Sequence, residues 1–366
     1  MRKERLWQRE IVARFKVTAR LEVSRRSMLT ITVLAYAVSP LVVLAVLAAA
    51  GRSPLVALDA LYRGTIGTTA GFAESVVQGT SLMLLSLGLV IAFRGKVWNI
   101  GAEGQQVFGA IVVTWFVLFF LKDPLPIYVM IPVALLLSLL GGAIFAAVPA
   151  LMKSRLGINE IITTIMMTYV AVEALNWLVR GPFQDRSIPG SYPESPIFPS
   201  QTVLPIIVPN TNVTVGIIIS VVSCFIGYYV LFKTPLGYSI RAVGFNPSAA
   251  KTSGISVPRV VDSAMMLSGA LAGLGGGVYI LGITHELLPE QASGIGYTAV
   301  VVALLGNLHP LGVIFSSIFF GGLISGMSSV ERALQIPRTL SLLSQGIIIV
   351  LILIIQVLAR YEFKRA

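Results

Sequence analysis

Cysteine, histidine and charge are all scarce in this 366-residue chain. Its one cysteine, Cys224, lies inside an apolar stretch, so no intrachain disulfide forms and thiolates build no metal cluster. The two histidines, His285 and His309, lack ligand-like spacing. Charged residues are 12% of the chain, against roughly 25% in an ordinary soluble domain. Hydrophobic residues reach 55% and mean hydropathy is +0.86. Together these exclude a soluble enzyme, a disordered tail and a disulfide scaffold. No G-x-x-x-x-G-K run followed by Ser or Thr occurs, so the chain has no phosphate loop with which to hydrolyse ATP. Inside the apolar stretches the ionisable groups are Glu103, Glu160, Glu173 and Asp262. No carboxylate chain suggests a proton relay, so an ion-coupled secondary transporter is kept only as a lesser alternative. An intramembrane enzyme would need paired catalytic groups at one depth, and neither histidine has such a partner in the sequence.

What is present is a series of apolar runs of the length that crosses about 30 Å of hydrocarbon. Between punctuation they fall at 29–50, 76–93, 104–121, 126–151, 158–179, 213–232, 260–283, 294–306, 310–329 and 339–359. The eighth is too short to cross at 1.5 Å per residue, and Gly294 and Gly296 mark its start. A broken or re-entrant helix is expected there, tolerated where protein buries it. The reading is an all-α, polytopic integral membrane protein of about ten transmembrane helices. Net charge is +11, but its position matters more than its sum. Nine of the 27 Lys and Arg lie in the first 26 residues, ahead of the first span, where they suit anionic lipid and not nucleic acid. Among them Trp7, Ile11 and Phe15 recur every fourth residue, the pattern of an interfacial amphipathic helix. Residues 1–28 therefore read as a basic amphipathic cytoplasmic segment, 29–359 as the transmembrane domain and 360–366 as a basic cytoplasmic tail. With both termini inside, 20 basic residues fall on the cytoplasmic side and 7 outside. Residues 180–212 lie outside and are rich in Pro and Ser; residues 233–259 lie inside.

Three stretches carry chemistry. Trp98-Asn99-Ile100-Gly101-Ala102-Glu103-Gly104-Gln105-Gln106 opens the third span. Its glycines permit a break, and Glu103 suits a helix start, either as an ordinary first-turn acid or as part of a polar path. Gly157-Ile158-Asn159-Glu160 opens the fifth span, where Asn159 and Glu160 can cap the helix. Thr164 and Thr168 share one face at i, i+4, and either line a path or bond the backbone. The third stretch, PLGYSIRAVGFNPSAAKTSGI from Pro235 to Ile255, is cytoplasmic. Gly237 and Asn246-Pro247 flank short helical pieces there, and the small Ala249 and Ala250 suit seating in a groove of another protein. Gly269, Gly273 and Gly277 repeat every four residues, as in close helix packing. A weak internal repeat is also expected. GKVWNIGAEGQ and HELLPEQASGIG each follow a span and lead into another, five spans apart, so the copies would be inverted as in transport cores.

WNIGAEGQ, GINEIITTIM, the 235–255 stretch and VVALLGNLHPLG occur in that order. Together they resemble the permease subunits of bacterial ABC importers for nucleosides and simple sugars, relatives of the branched-chain amino-acid permeases, from about residue 76 to 345. The resemblance implies a subunit of the bacterial cytoplasmic membrane. It implies as partners a separate ATPase that carries the ATP, a homologous second permease in a heterodimer, and an extracytoplasmic binding lipoprotein. It implies ATPase coupling at Gly237, Arg241, Ala242, Gly244, Asn246, Pro247, Ala249, Ala250 and Gly254. It further implies a substrate path past Trp98, Asn99, Glu103, Gln105, Asn159, Glu160, Thr164 and Thr168, with Trp98 stacking on a base or sugar. Two positions depart from the family: Thr168 stands where Asn is expected, and Phe245 where an acidic residue is usual. Nucleosides are the expected substrate and simple sugars the alternative.

Overall fold

A computed structural model describes residues 15–19, 38, 40–120, 126–186 and 192–365. The chain divides into two compact units, Met1–Leu61 with Ser328–Ala366, and Tyr62–Met327.

In the first unit a strand, β1 (Phe15–Ala19), pairs antiparallel with β2 (Tyr361–Arg365), Phe15 opposite Arg365 and Ala19 opposite Tyr361. The amphipathic helix expected at the N-terminus does not run through Phe15. Phe15, Val17 and Ala19 alternate with Lys16 and Thr18, the period of a strand, and the basic tail supplies the pairing edge. Trp7 and Ile11 lie outside the described residues. Helices α1 (Pro40–Ala49) and α2 (Pro54–Tyr62) follow β1, and α13 (Arg338–Arg360) precedes β2.

Among the described residues the long elements of the second unit are all helices. Its elements are α3 (Thr69–Arg94), α4 (Ala102–Phe119), α5 (Ile127–Leu156), α6 (Glu160–Val179), α7 (Gly216–Lys233), α8 (Pro235–Phe245), α9 (Pro247–Thr252), α10 (Val257–Tyr279), α11 (Ile295–Leu305) and most of α12 (Pro310–Leu334). Among the described residues seven helices are long and apolar enough to cross a membrane, and three shorter apolar ones stand at 40–49, 295–305 and 338–352. These ten occupy the ten apolar runs of the sequence. Helix α11, with 11 residues, rises about 16 Å and cannot span.

Helix α10 is the centre, packed against α3, α4 and α5. Its small residues explain the closeness. A Cβ on Gly273 would collide with the Ser138 carbonyl and lie 2.8 Å from Gly142 Cα, so the α10 and α5 backbones touch where a larger residue would separate them. Without a hydrophobic force between helices in lipid, such contact is the main source of association. Helices α6 and α7 leave many apolar side chains exposed, including Met166, Tyr169, Trp177 and Phe225.

The loops gather at two ends. At one, Arg94 Nε donates to the Leu308 carbonyl (2.8 Å), Lys153 Nζ pairs with Glu160 (2.6 Å), and the Arg241 guanidinium lies 5.2 Å from the Phe232 ring centroid. At the other, 192–207 straps over the end of α10. The amide of Ser195 donates to Leu287, that of Phe198 to His285 and that of Leu204 to Leu281.

Candidate functional site: a polar junction between two broken helices

Helix α3 ends at Arg94, and the chain from Val97 to Gly101 re-enters the protein without helical structure before α4 begins at Ala102. The sequence fixes this locally. Gly95 caps α3, and the side chain of Asn99 folds back to accept the Gly101 amide (3.0 Å), a turn that competes with helix. The second break follows the same logic. After α10, His285 takes a left-handed conformation (φ 59°), a single 3-10 turn covers Pro289–Gln291, and α11 begins behind Gly294 at φ 87°. Positive φ at Gly294 costs a glycine little and other residues more.

The two breaks meet. One carboxylate oxygen of Glu103 accepts the Gly294 amide (2.6 Å) and the other accepts the Gly296 amide (3.0 Å), so a first-turn acid of α4 caps the start of α11, 191 residues away. Glu103 is only 3% exposed. The amides at a helix N-terminus have no partner within their helix and carry its positive end, so a carboxylate is their natural complement. Beside it, Asn99 and Gln105 exchange amide hydrogen bonds (2.8 and 3.2 Å), and Asn99 also donates to Ser268 Oγ on α10 (2.9 Å). Thr164 Oγ1 accepts the Ile100 amide (3.3 Å) and donates back to the Glu160 carbonyl (2.7 Å). Thr168 Oγ1 donates to the Thr164 carbonyl (3.1 Å). Both threonines are buried where α4 crosses α6; a Cβ on Gly104 would come within 2.7 Å of Thr168 Cα.

At the loop end below this junction a second cluster forms. Phe232 at the end of α7 stacks on His309 (centroids 5.4 Å, 28°), with Arg241 and Arg94 guanidinium groups 5.2 and 5.8 Å from its centroid. His309 Nδ1 accepts the Leu311 amide (3.3 Å) at the start of α12. Burial first, and then the Arg94 charge, hold the His309 imidazole below its ordinary range. On the opposite end, burial and the neighbouring Glu194 raise the Glu286 carboxyl, and burial lowers His285.

Residues 71–353 match the family described as branched-chain amino acid transport system / permease component. The chain belongs to this family. Among individual relatives, the glucose ABC transporter permease protein TsgB13 of Haloferax volcanii is 32% identical over 90% of this chain and 90% of its own length. The guanosine ABC transporter permease proteins NupP and NupQ of Bacillus subtilis are each 31% identical. NupP covers 86% of this chain and 88% of itself, NupQ 68% and 78%. No solved structure matches.

In this permease the residues singled out for a substrate path divide. Asn99, Glu103, Gln105, Glu160, Thr164 and Thr168 come together as one buried polar seam. Trp98 stands at its loop end, 43% exposed with its ring 4.9 Å from that of Phe93. Asn159 is exposed and caps α6 by accepting the Ile161 amide (2.9 Å). The coupling residues divide too. Gly237, Gly244 and Ala250 are buried, and the α8 glycines let that helix lie on the Leu231 and Arg94 backbones. Arg241 and Ala242 are half-buried, while Asn246, Pro247, Ala249 and Gly254 are exposed. Asn246 caps α9, accepting the Ser248 and Ala249 amides. Sequence reading missed the partners of these groups: Ser268, Gly294 and Gly296, Phe232 and His309. It also treated Phe245 only as a departure, and Phe245 is 84% exposed at the α8–α9 corner. Beside that corner Pro247, Ser248, Lys251 and Ile255 to Pro258 line a groove of about 460 Å³.

Proposed function

We propose that this permease carries a neutral, hydrogen-bonding solute, a nucleoside, inward across a bacterial cytoplasmic membrane. The observation that carries the neutrality is the state of the buried charges. Among the described residues the two buried carboxylates are Glu103 and Glu160; the first is held by two backbone amides and the second by Lys153. The remaining buried polar side chains of the seam are amides and hydroxyls. A charged solute would have to displace a satisfied pair, at a cost of several kcal/mol; a neutral one would not. The guanosine permeases among the relatives support a nucleoside. The glucose permease supports a second reading, a simple sugar carried by the same machinery.

The exposed face of α8 and α9 is where an ATPase docks, with Phe245, Asn246, Pro247, Ala249 and Gly254 on that face. Arg241 acts from behind it, through Phe232 and His309, on the turn that joins α11 to α12. Helix α11 is a stiff rod of three turns whose far end is the Glu103 junction. A tilt of α8 imposed by the ATPase therefore reaches the junction through one rigid element, which is the mechanism of alternating access proposed for this chain. Two different permeases of one organism, NupP and NupQ, both resemble this chain, which supports a heterodimer with a homologue. Pairing of β1 with β2 supports both termini on one side, and the basic residues of the N-terminal segment favour the cytoplasm. An extracytoplasmic binding lipoprotein would deliver solute at the 192–207 strap.

The test is ATPase activity of this chain reconstituted with its second permease, ATPase and binding protein. Nucleosides are compared with free pentoses and hexoses. Stimulation by nucleosides alone is expected. Stimulation by free sugars alone moves the protein to the second reading, and stimulation by neither removes both.

A further inference from the structure

Two side chains near the junction are left without partners. Gln106 is fully buried and Gln291 is 2% exposed, and in each the amide oxygen and the amide nitrogen both lack a hydrogen bond. Buried amides almost always find partners, and leaving one bare is unfavourable. The neighbouring amide on α4, Gln105, is by contrast paired with Asn99.

Their placement is informative. Gln106 lies three residues beyond Glu103 on α4, and its backbone carbonyl lies against Gly276 of α10. Gln291 closes the 3-10 turn three residues before Gly294, and that turn packs against α6. Since Glu103 holds the Gly294 amide at 2.6 Å, the two free amides lie three residues from the two partners of that bond, one on each of the segments it fastens. Each offers an acceptor oxygen and a two-proton donor.

We propose that Gln106 and Gln291 hydrogen-bond the transported solute itself, reading a neutral edge that presents adjacent donors and acceptors, such as a nucleobase amide or a pair of sugar hydroxyls. The proposal rests on the neutral-solute reading above and adds the residues that recognise the solute. It assigns the seam of Asn99, Gln105 and Thr164 to holding the break in shape, since those groups already satisfy one another, and places recognition on the pair that does not.

The experiment uses the complete importer in proteoliposomes with guanosine, inosine and glucose as probes. Wild-type uptake decides which probe is carried, and so tests the functional reading by itself. KM is then measured for the carried probe with Gln106→Leu and Gln291→Leu. Each lost pairing to a neutral partner raises KM about tenfold, the equivalent of one hydrogen bond. The shorter Gln106→Asn and Gln291→Asn fall between and carry the test should a leucine variant fail to assemble. Variants that assemble at wild-type levels and keep the wild-type KM overturn the proposal. A shift in thermal stability with KM unchanged also overturns it, because the amides then serve ordered water only.

Discussion

Glu103→Ala is the perturbation that tests the junction most directly. It removes both acceptors, leaving the Gly294 and Gly296 amides buried and bare at the start of α11. A hydrogen bond to a charged group is worth about 1.5–3 kcal/mol, so the two together hold about 3–6 kcal/mol. Relief from burying the carboxylate works in the opposite direction. The positive end of α11 already offsets part of that penalty, which places the net loss near the lower bound, about 3 kcal/mol. Glu103→Gln keeps the shape and one acceptor and should lose roughly half as much. In detergent-solubilised permease the alanine variant should melt on the order of 6 °C below wild type, with glutamine between. Truncation at this buried site lowers alanine through the cavity it leaves, so the step from Glu to the isosteric Gln is the one that reports the hydrogen bonds. Equal melting of all three proteins would show that the carboxylate does not fasten α4 to α11, and the rigid-rod mechanism would lose its upper end.

Three further outcomes follow from the lower cluster and the loop beside it. Arg241→Glu gives up a cation–π contact of about 0.5–2 kcal/mol, too little to unfold the chain, yet should leave ATP hydrolysis uncoupled from uptake; normal uptake by this variant would refute the coupling role. Phe245→Asp should weaken co-purification of the ATPase without changing the melting temperature of the isolated permease, and undiminished co-purification would mean the α8–α9 corner is not the docking face. His309 is held below its unfolded value by burial and Arg94, so as pH falls the unfolded chain takes the proton first. Stability present above about pH 6.5 therefore declines as pH drops through that value toward the folded pKa, a decline that protonation of Nδ1 reinforces by removing the acceptor for Leu311. His309→Gln should flatten the decline between pH 7.5 and 5.5, and an unchanged slope would assign the effect elsewhere.

How much of this could be read in advance depends on sequence distance. The spans were legible because apolar runs, glycine punctuation and basic flanks are local signals, and the short eighth span was visible from its length alone. The Asn159 cap was legible for the same reason, since it binds an amide two residues away, and Asn246, legible as the border of a short helix, caps it in the same way. Glu103 was legible as a helix-start acid but not as the cap of a different helix, since nothing local links it to Gly294. Asn99 likewise finds Ser268, 169 residues on. The N-terminal segment shows the reverse failure. Its four-residue apolar spacing described an isolated helix well, and the strand at Phe15–Ala19 depends on an edge supplied by the other end of the chain.

The two breaks also explain why an 11-residue helix can stand in a membrane at all. A half-helix in hydrocarbon exposes four unpaired amides at its start, each costly without water. Water cannot supply the partner without opening a path through the protein, and a basic side chain offers no acceptor. A carboxylate from a second break, arriving at the same place, meets both demands. The stretch Trp98–Gly101 before α4, with Glu103 in the first turn, and the glycines before α11 are thus joined by one cap. Because the cap belongs to a different helix from the amides it covers, relative movement of α4 and α11 must break it. The mechanism proposed above therefore requires that these two bonds be given up during the transport cycle.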